Sequence, residues 1–185
     1  MPPLLTVPGL EGSGPAHWQS LWEGLFPTAR RVEQRDWHAP EREAWVAALE
    51  AAVAACPAPP VLVAHSLGCD AVVHWAARHG GAGGARRARG ALLVAPPDLE
   101  APGLPPALHS FRPVPLAPLP FPSLLVASRD DPWARWEASE ALARAWGSRL
   151  VDAGRAGHLN GASGLGAWPA GQVLLRTLFQ GGTPA

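Results

Sequence analysis

The segment Val61-Leu62-Val63-Ala64-His65-Ser66-Leu67-Gly68-Cys69-Asp70-Ala71-Val72-Val73 decides how the rest of the chain is read. It opens as an unbroken apolar run, the pattern of a strand buried on both faces, and closes with the spacing of a helix. One serine stands at the junction. Ala64 and Gly68, two residues to either side, are small enough for strand and helix to pass closely while Ser66 occupies a strained turn. Glycine is usual at the first of these positions, and alanine replaces it. A serine on such a turn is exposed at the end of a sheet, and the helix behind it aims backbone N–H groups at the space in front of its hydroxyl. Leu67 N–H is the first candidate donor for an oxyanion there.

Outward from this segment, apolar runs at Leu4 to Val7, Ala91 to Val94 and Ser123 to Ala127 repeat the strand pattern, with Arg31 to Gln34 and Arg149 to Val151 as more polar runs suited to the edges. Helical spacing occupies Pro15 to Leu25, Glu41 to Ala55, Cys69 to His79, Glu137 to Trp146 and Gly171 to Phe179. Strands alternating with helices predict an α/β fold: about six mostly parallel strands covered by helices on both faces. The ten prolines between Ala95 and Pro122 forbid a long helix or a central strand, so that segment is expected to be an extended connection bordering a functional site. No repeat or second domain is visible, and residues 1–185 read as a single domain.

A serine is a weak nucleophile at neutral pH and needs a histidine base oriented by a carboxylate. Ser128-Arg129-Asp130-Asp131-Pro132-Trp133 follows a strand and sets a carboxylate at the sheet edge that carries Ser66; Asp131 or Asp130 can serve. Gly157-His158-Leu159-Asn160 follows the last strand and supplies His158 as the base. The order Ser, Asp, His is that of the α/β-hydrolases. A second oxyanion donor is expected from the glycine-rich loop Pro8 to Gly14, at Gly9 or Leu10, each such donor being worth about 2.7–4 kcal/mol in the transition state. Trp18, Trp37, Trp133 and Trp136 fall in or near loops at this edge and are candidates to line a substrate pocket, whereas Trp45, Trp75 and Trp146 read as core.

The chain resembles the small retinoblastoma-binding-protein-like and YdeN-type serine hydrolases, a compact branch of the α/β-hydrolase fold. The resemblance rests on Val7-Pro8-Gly9 with Gly14-Pro15-Ala16-His17-Trp18, on Ala64-His65-Ser66-Leu67-Gly68, on Ser128 to Trp133, and on Gly157-His158-Leu159-Asn160. It implies that the carboxylate before the proline, Asp131, completes the triad. It further implies a sheet without a large cap domain, and activity on small esters or activated amides. An open pocket of that kind favours short acyl groups. Thioester hydrolysis or acyl transfer would use the same machinery. A protein acting chiefly by binding a partner is the alternative of a different class, although binding alone gives no chemical reason to fill all three triad positions.

Composition excludes other classes. Fifteen basic and fifteen acidic residues leave a formal net charge of zero, which gives no field to attract nucleic acid or an anionic membrane. No run reaches the roughly 18 apolar residues of a membrane span, and Met1 to Leu10 lacks the pattern of a signal peptide, so the chain is expected to be cytoplasmic. Cys56 and Cys69 are too few for a disulfide framework and lack the paired spacing of a zinc site. The remaining histidines form no ligand set, and the reaction calls for neither metal nor cofactor. Every basic residue is arginine, with alanine, glycine and proline abundant, which reads as the codon bias of a GC-rich genome. Arg86, Arg87 and Arg89 read as a solvated turn.

Overall fold

Six strands, β1 (Leu4–Val7), β2 (Ala29–Arg31), β3 (Val61–His65), β4 (Gly90–Val94), β5 (Ser123–Ala127) and β6 (Arg149–Asp152), form one sheet in the order β2-β1-β3-β4-β5-β6. All five pairings are parallel. This computed structural model describes residues 1–79 and 87–179. The four apolar strands β1, β3, β4 and β5 are buried at every position and occupy the centre, while the polar strands β2 and β6 lie at the edges, because only an edge strand can leave arginine side chains in water.

Five helices cover the sheet: α1 (Trp18–Leu25), α2 (Arg42–Ala54), α3 (Leu67–His79), α4 (Trp136–Trp146) and α5 (Pro169–Phe179). One core contains Trp45 and Leu49 of α2, most of α3 and Trp146 of α4, packed on Leu62, Leu93 and Leu125. The other contains Trp18 and Trp22 of α1 with Leu175 and Leu178 of α5, packed on Val63, Leu92 and Leu124. Alternate residues of each central strand feed opposite layers, as the pleat requires. No described helix is long and apolar enough to cross a membrane.

Four expectations are refined. The second strand starts earlier than Arg31, since β1 offers only Leu4 to Thr6 as partners and the chain departs after Val32 N–H bonds the Thr6 carbonyl. The first helix begins at Trp18, capped by the His17 Nδ1 that accepts the Gln19 N–H at 3.1 Å. The proline-rich connection contains a 3-10 turn at Pro106–Phe111 and is anchored through buried Leu99, Leu104, Leu108, Phe111 and Phe121. Phe111 packs at 5.7 Å from the Trp45 ring, and His74 Nε2 donates to its carbonyl. Arg89 is exposed, as a solvated turn requires, and donates to the Phe179 carbonyl, while Arg87 is half-buried on the Glu50 carboxylate; Arg86 lies outside the described residues.

Candidate active site

Ser66 sits between β3 and α3 with φ of 53°, a left-handed conformation that costs a non-glycine residue about 1–3 kcal/mol. The turn is over-determined: Ser66 N–H donates to the Val94 carbonyl and the Ser66 carbonyl accepts from Cys69 N–H. Gly68 is required because a Cβ there would stand 2.1 Å from the Val7 carbonyl oxygen. At Gly9 a Cβ would stand 2.8 Å from the Ser66 Cβ and 3.1 Å from Leu67 N, so the loop after β1 lies directly against the serine turn. Glu11 N–H and Gly12 N–H are engaged by the Trp37 and Gly9 carbonyls, whereas the N–H groups of Gly9 and Leu10 meet no acceptor among the described residues.

The structure brings Ser66, His158 and Asp131 together across the carboxyl ends of β3, β5 and β6. Ser66 Oγ is 2.9 Å from His158 Nε2, and His158 Nδ1 is 2.9 and 3.0 Å from the two oxygens of Asp131. The Asp131 side chain is 3% exposed and also accepts the Trp133 N–H, so it is held on the ring by burial and a backbone donor. An Nδ1–H donated to Asp131 leaves Nε2 free to accept the serine proton. This is the geometry of a nucleophile, a base and an orienting acid.

Asp130 has a different task. Its Oδ1 accepts the Gly157 N–H at 2.9 Å and the Ser128 hydroxyl at 2.8 Å, and these bonds, with Arg155 nearby, hold its carboxyl below the usual carboxylate range. Ser128 Oγ in turn accepts the Ala156 N–H. The acidic turn therefore clips the histidine loop in place, a role sequence reasoning did not assign to Asp130 or Ser128. The signal that was present is the close spacing of Ser128, Asp130 and Asp131 after a strand.

The four pocket tryptophans separate. Trp133 is 41% exposed with its ring 6.4 Å from that of His158, and it lines a cavity of about 430 Å³ with Asp98, Ala101, Pro102, Asp131 and Ala134. Trp37 is half-buried and packs on Gly12 of the loop after β1. Trp18 belongs to the core instead: it is 1% exposed, and its indole N–H donates to the Leu159 carbonyl, so it supports the histidine loop from beneath. Trp136 is not a lining residue of that cavity; Arg129 stacks on its ring at 4.5 Å and its N–H donates to Glu140.

Residues 4–177 match the family described as serine hydrolase. The chain belongs to the serine hydrolase family. Its structure is similar to that of a YdeN-like hydrolase from Pectobacterium atrosepticum, with 35% identity, 97% of this chain and 90% of that chain covered, and a TM-score of 0.81. The ydeN gene product of B. subtilis is similar at 20% identity, covering 97% of this chain and 100% of that one with a TM-score of 0.79. A monoacylglycerol lipase from Paleococcus ferrophilus shares the fold at 11% identity, 97% and 94% coverage and a TM-score of 0.69. No curated protein matches the sequence significantly. This serine hydrolase thus has a compact six-stranded α/β-hydrolase fold without a large cap, and the family and its fold relatives make it a hydrolase.

Proposed function

We propose that this serine hydrolase cleaves small carboxylic esters or activated amides through Ser66, His158 and Asp131. The observation that carries the reading is the continuous hydrogen-bonded line from Ser66 Oγ through both nitrogens of His158 to the buried Asp131 carboxylate. His158 Nε2 takes the hydroxyl proton as Ser66 Oγ bonds to the substrate carbonyl carbon, and Asp131 stabilises the imidazolium that results. The N–H groups of Leu67 and of Gly9 or Leu10 take up the negative charge on the carbonyl oxygen. His158 then returns the proton to the departing alcohol or amine. Water, deprotonated by the same nitrogen, releases the acid and regenerates Ser66.

The fold has no large cap to enclose a long chain, which supports a preference for short acyl groups. On p-nitrophenyl esters, kcat/KM is expected to fall from butyrate to dodecanoate; a rise with chain length would contradict the preference. The reading as a whole is tested by intact-mass analysis after fluorophosphonate treatment. Stoichiometric labelling of the wild type that vanishes in Ser66→Ala is the expected result, and a folded wild type that takes no label would overturn it.

A further inference from the structure

His158 lies on a loop between two residues in the left-handed region, Gly157 at φ 57° and Leu159 at φ 50°, and no sheet ladder fixes it there. Its main chain is pinned from three sides. Asp130 takes the Gly157 N–H, the Trp18 indole holds the Leu159 carbonyl at 2.8 Å, and His65 Nε2 lies 2.8 Å from the carbonyl oxygen of His158 itself. A carbonyl only accepts, so His65 carries its proton on Nε2 and donates. His65 is the last residue of β3 and the immediate neighbour of Ser66. This bond therefore ties the strand that presents the nucleophile directly to the residue that presents the base.

We propose that His65 is a positioning residue for His158: its ring N–H holds the His158 carbonyl and thereby sets how the His158 imidazole stands against Ser66. The kinetic consequence rests on the hydrolase reading above, whereas the geometric one does not. The His65 ring is walled in for this purpose, edge-on to His17 at 4.7 Å and to Trp18 at 6.2 Å. His17 spends its Nδ1 on the Gln19 N–H, which leaves its proton on Nε2, buried and without a partner among the described residues. Burial keeps both histidines neutral: it lowers His17 to about 4 and His65 well below the ordinary imidazole value. That matters because the ring of His65 is only 4.9 Å from that of His158, and a like charge there would oppose the imidazolium formed during turnover.

The test compares His65→Leu, which has no donor, with His65→Gln, whose side-chain amide offers an N–H at the same number of bonds from the backbone. Three quantities are read: kcat and KM on p-nitrophenyl acetate, the thermal midpoint, and the downfield proton resonance of the His158–Asp131 hydrogen bond by NMR. Expected for His65→Leu is a roughly 100-fold fall in kcat with KM little changed, the size of effect a misplacement of about 1 Å produces, together with loss of the downfield resonance. His65→Gln is expected to keep the resonance and most of kcat. Wild-type kcat and resonance in His65→Leu would overturn the proposal. So would equal losses in both variants that follow their thermal midpoints, because those belong to packing alone. A wild type with no turnover, whose resonance is still kept in His65→Gln and lost in His65→Leu, would sink the hydrolase reading and leave the positioning role standing.

Discussion

Asp130 and Asp131 are adjacent in sequence, yet one faces a loop amide and the other an imidazole. Spacing alone left both open as the acid, because either residue of a tight turn can point across the sheet edge. What separates them is the backbone donor each one meets, Gly157 N–H or Trp133 N–H, and that depends on how two distant segments dock. Asp131→Asn is expected to lower kcat by about 10⁴-fold through loss of the correct histidine tautomer. Asp130→Asn keeps an acceptor for Gly157 and is expected to stay within about tenfold of wild type; steady-state assays of the two, side by side, decide between them. Ser66 and His158 were legible because a strained turn and a fixed chain order leave few alternatives. The placement of Trp18 was not, since a tryptophan next to a loop can turn to either side, and here its N–H finds the Leu159 carbonyl.

Among the elements, the apolar strands were the most readable, because burial on both faces admits little except Val, Leu and Ala. The edges were less so: β2 carries two arginines in three residues and no periodicity of its own, and its register comes from β1. The proline-rich connection illustrates the same limit, since its five buried apolar anchors are spaced by proline turns rather than by any regular period. At the crossing of α3 and β1, contact is so close that one methyl group matters. Gly68→Ala forces its Cβ toward the Val7 carbonyl, 2.1 Å away, and is expected to destabilise the fold by about 3 kcal/mol, read as a lower denaturation midpoint together with loss of fluorophosphonate labelling. Unchanged stability would mean that β1 and α3 are free to separate.

Across the whole molecule, buried titratable groups set opposing slopes on stability. His17, lowered to about 4 by burial, resists protonation in the folded state, so its contribution is present above pH 6.5 and is lost as pH falls toward 4. His17→Asn, which keeps a helix cap, is expected to remove about 3 kcal/mol of that acid sensitivity in denaturant titrations at pH 4 and pH 7. Asp70, one turn into α3, is fully buried with both carboxyl oxygens lacking side-chain hydrogen-bond partners among the described residues, and burial raises its titration well above the carboxylate range. The folded state then keeps a proton that the unfolded chain releases, so stability declines as pH rises above 3.8. Asp70→Asn is expected to raise the melting temperature at pH 8 and to converge with wild type near pH 4; a gap independent of pH would show that Asp70 ionises in the native protein.

The chain order of the site has a consequence for biosynthesis. Ser66 leaves the ribosome well before Asp131, and His158 comes last, on the loop that follows β6. Because domains begin to fold from the N-terminal side during translation, β1, β2 and β3 can pair before β4 supplies the Val94 carbonyl that holds the serine turn, and before His158 emerges. In the order of synthesis Ser66 thus precedes its hydrogen-bond partner, and the line from Ser66 through His158 to Asp131 can close only once the loop that carries His158 has been made.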